Sequence, residues 1–292
     1  MSAVQFPHIG ERLRARRLGA GLSTEAVAQA AGISRALLYR YEAGDVVKLE
    51  VLERLARLYD TSTGTLLGLG NEYITHGMLF FERVQRLEES ALQMTTVFGP
   101  QAYVLSSAEY DSALAERLGD DRDGQTALQP LEVQRLMQLL TRRKAAFERL
   151  RPGFINIIPV SDIEHYLRHG LGGHAHQSEA DRLKKRQAAR REMERLAAMI
   201  ASPRMGLQIA LTSQPLPTSG FQLVQSAGRQ VVVTSPFRIV EPTNLHYGVA
   251  MVSEDEQSLR LHQTLANRLW ETGLRGAAAG AELARLLREN PA

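Results

Sequence analysis

Cysteine is absent from the 292 residues. That excludes disulfides, thiolate metal sites and cysteine nucleophiles, and it agrees with a reducing compartment. Long apolar runs are missing too. No stretch reaches the roughly 18 residues that a membrane span requires. The opening MSAVQFPHIGERLRARR holds no apolar segment of signal-peptide length. A cytoplasmic location with no membrane partner is therefore expected. The chain also lacks an excess of charge of one sign. Lys and Arg number 35 against 32 Asp and Glu, a net charge of only +3, so any argument for nucleic acid has to come from where the cations sit. Catalytic signatures are missing as well: there is no Gly-x-Ser-x-Gly, no phosphate loop and no His-Glu-x-x-His. The acidic GDDRDGQ at 119–125 lacks the ligand spacing of a calcium loop. The chain reads as a non-enzyme for which no cofactor is expected.

What is present is the material for two domains, since the length exceeds what one small domain needs. Residues 1–69 are a series of short amphipathic helices. IGERLRARRLGAG offers Ile9, Leu13 and Leu18 to an inner stripe and its arginines to the other face. LSTEAVAQAAG has Ser23 as N-cap and stops at Gly32. KLEVLERLARLYD turns Leu49, Leu52, Leu55, Ala56 and Tyr59 inward, and STGTLLGLG closes the unit. Residues 70–92 read as a connecting helix. Residues 93–292 read as an α+β domain. A helix is expected over 131–150, a buried strand at FINIIPV, and a helix capped by Ser161 in SDIEHYLRHG. A charged helix follows, opened by the Ser178…Asp181 pair. Five short β-type runs come next: GLQIALT, GFQLVQS, RQVVVTS, FRIVEP and YGVAMV. A capping box of Ser253 and Glu256 opens a further helix, and the C-terminal AAAGAELARLLREN is helical. The fold class is thus mainly α, an N-terminal helical bundle followed by an α+β domain with a small mixed or antiparallel sheet.

The segment GISRALLYRYEAG, residues 32–44, determines the functional reading. Gly32 lets the chain leave one helix at positive φ. Ile33 plugs the turn and Ser34 caps the next helix. The 3.6-residue period then turns Leu38 and Tyr41 inward and Arg35, Ala36, Tyr39 and Arg40 outward. A second helix presented in this way fits the major groove, where an arginine can form a bidentate pair with guanine. The stretch LRARRLGAGLSTEAVAQAAGISRALLYRYEAG with the following LEVLERLARLYDTSTGTLL resembles the helix-turn-helix of the phage-repressor and Cro class, the XRE family of bacterial regulators. The resemblance implies a lambda-repressor-like bundle that binds a double-stranded DNA operator, usually as a dimer. It implies base reading by Arg35, Ala36 and Arg40, with Ser34 and Tyr39 on the same DNA-facing side. Thr24, shorter than the Gln usual there, becomes a phosphate contact. Lys48 is a second phosphate contact by position. It further implies a structural pair between Arg17 and Glu42.

VFGPQAYVLSSAEYDSAL, IIPVSDIEHYLRHGLGG, the later strands and the helix ending LANRLW resemble an uncharacterised domain attached to many regulators of this class. That resemblance implies dimerisation and the sensing of a small-molecule or protein effector. Tyr103, Tyr110, Phe154, Tyr166, Phe221 and Tyr247 are either the lining of a pocket or core, and core is the commoner fate of such residues. His165, His169, His174 and His176 fall within twelve residues and offer nitrogen ligands for a divalent metal, against the plainer reading of four exposed histidines. DRLKKRQAARREMER, with seven cations and three anions, reads as a solvated helix face. The favoured reading is a transcriptional regulator, such as a repressor. An antitoxin-like protein that binds a partner and autoregulates its operon, or a histidine-based metal sensor, are the alternatives.

Overall fold

The computed structural model describes residues 8–45, 47–68, 71–119, 128–171, 178–214, 220–240 and 245–291. The N-terminal bundle comprises α1 (Ile9–Gly19), α2 (Thr24–Ala31), α3 (Arg35–Glu42), α4 (Leu49–Leu58) and α5 (Thr63–Leu67). Each short helix is fixed by a local cap. The Ser23, Ser34 and Ser62 hydroxyls accept from the backbone N–H groups of Ala26, Leu37 and Thr65. Gly32 ends α2 at φ 65°. Leu13, Val27, Leu38, Leu52, Leu55 and Leu66 meet in a closed core. Leu49, expected inside, is 59% exposed, because α4 starts there and its buried stripe runs through Val51, Leu52, Leu55 and Ala56 instead.

The rest of the chain forms an eight-stranded mixed sheet with helices on both faces. Its first elements are β1 (Glu72–Ile74), α6 (Gly77–Glu88), β2 (Gln93–Val97), a 3₁₀ turn at Tyr103–Leu105, α7 (Ala108–Leu118) and α8 (Pro130–Leu150). Next come β3 (Gly153–Pro159), α9 (Val160–His169), α10 (Glu179–Ala201), β4 (Leu207–Thr212), β5 (Phe221–Ser226) and β6 (Arg229–Thr234). The chain finishes with β7 (Ala250–Ser253), α11 (Glu256–Thr272), β8 (Leu274–Arg275) and α12 (Gly276–Glu289). The strand order is β1-β7-β6-β5-β2-β3-β4-β8. β2, β3 and β4 are parallel, joined by helical crossovers, and all other pairings are antiparallel. Successive residues of β3 and β4 point to opposite faces. Phe154, Ile158, Ile209 and Leu211 enter the main core beneath the larger helical layer, while Ile157 and Ala210 meet Ala266 and Leu269 of α11 on the other side.

Four local expectations are corrected. Residues 237–240 of FRIVEP form no strand: β6 stops at Thr234 ahead of Pro236, and Phe237 instead packs against Phe80 at 5.5 Å. Ser161 lies inside α9, whose N-cap is Pro159 at the end of β3. Ser253 is the last residue of β7, and Asp255 caps α11 by accepting from the Ser258 N–H. Three of the four arginines of α1 are not on a solvated face: Arg12 is 3%, Arg16 4% and Arg17 8% exposed, and only Arg14 is open to solvent as expected.

That last difference shapes the molecule. One side of α1 serves the bundle core and the other packs on α6, where a Cβ placed on Gly19 would lie 2.5 Å from Leu79 Cα. Glu72 of β1 binds Arg83 of α6 at 2.9 Å and lies 3.5 Å from Arg16, which also donates to the Tyr73 carbonyl. Arg12 donates to the Leu66 and Leu67 carbonyls, while Arg229 of β6 reaches Glu254 at 2.7 Å and Glu11 at 3.0 Å. Residues 70–92, read as a connecting helix, thus include an edge strand and a helix whose Phe80, Phe81, Val84 and Leu87 belong to the main core.

Candidate nucleic-acid interface

α3 has eight residues and two distinct sides. Leu38 and Tyr41 are buried in the bundle core. The side chains of Arg35 and Arg40 are 58% and 71% exposed, Tyr39 is 52% exposed, and Ala36 is open to solvent. Nothing among the described residues covers this face.

The outward side chains are braced rather than loose. The Tyr39 hydroxyl sits 3.4 Å from Thr24 Oγ1, joining the middle of α3 to the first turn of α2. That hydrogen bond, with the Arg35 charge adding to it, holds the Tyr39 phenol below its ordinary value. Arg35 Nη1 is 4.0 Å from Glu25 Oε2. Arg40 donates from Nε to Asp45 Oδ2 at 2.6 Å. Asp45 therefore grips the inner nitrogen of the guanidinium and leaves the two terminal nitrogens outward, which is the fork a guanine edge accepts. Such exposed pairs contribute little to stability, about 0–1 kcal/mol, so their effect is on orientation.

Beneath this face lies the Arg17–Glu42 pair. Arg17 Nε and Nη2 donate to Glu42 Oε1 and Oε2 at 2.6 and 2.8 Å, both side chains being buried. The Glu42 hydrogen bond, outweighing burial, holds Arg17 above its ordinary value. The bidentate contact ties α1 to the end of α3 and fixes the angle at which α3 is presented. Lys48 is exposed at the N-terminus of α4, and Thr24 is half-buried at the start of α2. Ser34 is engaged in its cap.

The sequence reading missed Glu25 and Asp45. Asp45 directly follows the Glu42-Ala43-Gly44 stop, and its five-residue separation from Arg40 is bridged only because the chain turns there, with the Asp45 N–H bonded to the Arg40 carbonyl. The histidine expectation is divided by the structure. His165 and His169 share a face of α9, with ring centroids 4.5 Å apart. His174 and His176 lie outside the described residues. Among the described residues no three His, Asp or Glu side chains converge on a point that could hold a metal. No helix among them is long and apolar enough to cross a membrane.

Comparison with known proteins identifies this region. Residues 8–67 match the helix-turn-helix domain family. The match takes in α1 to α5 with the braced face and the Arg17–Glu42 pair, and it ends where the sheet-containing part begins. No curated protein matches the chain. Among solved structures, one described as "Structure of TrmBL2, an archaeal chromatin protein, shows a novel mode of DNA binding" is similar over 77% of this chain, at 10% identity and a TM-score of 0.34. The chain spans 59% of that structure's length. Likeness at that level is too slight to transfer function.

Proposed function

We propose that the protein is a sequence-specific DNA-binding transcriptional regulator whose helix α3 lies in the major groove. The observation that supports this most is the two-sidedness of α3 within a helix-turn-helix domain. Its apolar face is the bundle core, and its other face presents Arg35, Ala36, Tyr39 and Arg40 to solvent, with the Arg40 guanidinium oriented by Asp45. Arg40 and Arg35 read base edges. Lys48 and Thr24 meet phosphates on either side and set the register. A single module of this size contributes modest affinity. Two copies with recognition helices about 34–36 Å apart would bind an inverted repeat, so we assign the working form as a homodimer.

The test is selection from a randomised duplex library, followed by footprinting on the enriched sequence. A short inverted repeat protected on one face of the duplex is expected. If no sequence is enriched over the starting library, the assignment of α3 as a reading helix fails.

A further inference from the structure

Helices α7, α9 and α10 enclose a cavity of about 220 Å³ far in sequence from the helix-turn-helix. Tyr110, Tyr166 and Leu171 line it with Glu192, and the exposed Arg191 and Arg195 line it as well. Glu192 is 4% exposed. Its Oε2 accepts from Gln101 Nε2 at 2.7 Å and from the Ser107 N–H at 3.2 Å, while Oε1 has no hydrogen-bond partner among the described residues. Among the described residues it forms no ion pair either, although Arg191 and Arg195 line the same cavity. Arg190 pairs with Glu194, Lys144 pairs with Asp111, and Arg195 donates to the Leu105 carbonyl. Glu42, Glu72 and Glu88, buried to a similar degree, each hold an arginine, whereas Glu82, also buried, is like Glu192 in forming no ion pair among the described residues. A buried carboxylate without a counter-charge is costly, and it persists where something else supplies the charge.

The walls narrow the chemistry of that missing charge. Tyr166 is 6% exposed, and its hydroxyl has no partner among the described residues. Burial, with the Glu192 charge adding to it, pushes both the Tyr110 and the Tyr166 phenol above the ordinary value, so both stay protonated and uncharged. Two tyrosines beside a carboxylate are a setting for a cation with N–H donors. An apolar cavity of about 150 Å³ holds benzene, so this one takes a molecule of about ten non-hydrogen atoms.

We propose that this cavity binds a small organic ammonium compound, its ammonium group placed between Glu192 Oε1 and the Tyr110 and Tyr166 side chains. A plain primary amine and an α-amino acid share that chemistry. They differ at the mouth, where the carboxylate of an amino acid meets Arg191. The site goes beyond the DNA-binding reading, and its test uses no DNA.

The full chain is titrated by calorimetry and thermal shift with the standard amino acids, the primary amines left when their carboxylates are removed, and the acids left when their amino groups are removed. Saturable binding by at least one ammonium compound is expected, with no binding by the matching acid. Preference for the amino acid identifies it as the ligand, and equal or better binding of the amine identifies the amine. Glu192→Gln is expected to weaken binding at least about tenfold, the scale of a lost charge-assisted hydrogen bond. Tyr166→Phe removes one hydroxyl with little change in shape, and Ala113→Leu fills the cavity, so one of them decides the matter if Glu192→Gln fails to fold. The proposal is overturned if no ammonium compound binds, if the deaminated acids bind equally well, or if all the variants that fold leave the Kd unchanged.

Discussion

Arg40 is held at Nε and open at both terminal nitrogens, which separates orienting from reading within one side chain. Arg40→Ala is expected to cost about 1–3 kcal/mol at one base pair of each half-site and to flatten preference there. Competition gel shifts with point-substituted operators would show it, and unchanged selectivity would place the reading elsewhere. Asp45→Asn acts oppositely on the two kinds of binding. It removes a negative charge beside the phosphates, so affinity for random duplex rises. It also frees the guanidinium to follow those phosphates, so the ratio of specific to random affinity falls. Lys48→Ala should weaken all sequences alike and lower the slope of log affinity against log salt by about 1. Below this surface, Glu42→Ala leaves Arg17 buried without its partner. A loss of roughly 3–5 kcal/mol in denaturant unfolding is expected, well beyond what an exposed pair gives.

Single helices here have two clients, and α1 is the clearest case. A sequence reading with one inner stripe assigned its arginines to solvent. The structure leaves only Arg14 there and uses Arg12 and Arg16 as a second buried face, because α6 lies against it and the carbonyls of Leu66, Leu67 and Tyr73 accept their donors. The close approach at Gly19 makes a direct test. Gly19→Leu places atoms where Leu79 already is, and a stability loss of about 1–3 kcal/mol follows from forced repacking, measurable in urea melts. The helix-turn-helix was legible because its signals are local: Ser23, Gly32 and Ser34 specify their own turns within three or four residues. The strands at FINIIPV, GLQIALT, GFQLVQS, RQVVVTS and YGVAMV were legible as apolar runs. β2, at the centre of the sheet, was not. Its QMTTV carries two threonines, and only pairing with β3 and β5 on both sides makes those residues interior. β1 and β8 are two or three residues long and exist through their partners alone. The bracing of Arg40 and the isolation of Glu192 were equally out of reach, since each depends on what lies near in space.

The seam between the helix-turn-helix and the sheet sets how the reading face is held. Arg12, Arg16, Arg83 and Arg229 crowd there against Glu72, Glu254 and the more exposed Glu11, so cations outnumber anions in a largely buried junction. Burial, reinforced by the Arg83 charge, pushes Arg12 down to about 10. Burial also pushes Glu72 up, but the charges of Arg83, Arg16 and Arg12 and the Arg83 hydrogen bond outweigh it and hold the carboxyl below its ordinary 4.5. A carboxylate whose folded value is depressed stabilises the native state at any pH above its unfolded value. That contribution fades as the pH falls from there through the folded value. Acid should therefore loosen this junction by protonating Glu72, leaving Arg83 and Arg16 facing each other uncompensated. Glu72→Gln removes the same charge at every pH. Its destabilisation relative to wild type, roughly 3–5 kcal/mol near neutrality, should shrink as the pH falls below the ordinary value of 4.5. Chemical denaturation of both proteins across that range measures the difference directly. A gap that stayed constant with pH would mean that the seam is held by the packing of α1 on α6 and owes nothing to the charge of Glu72.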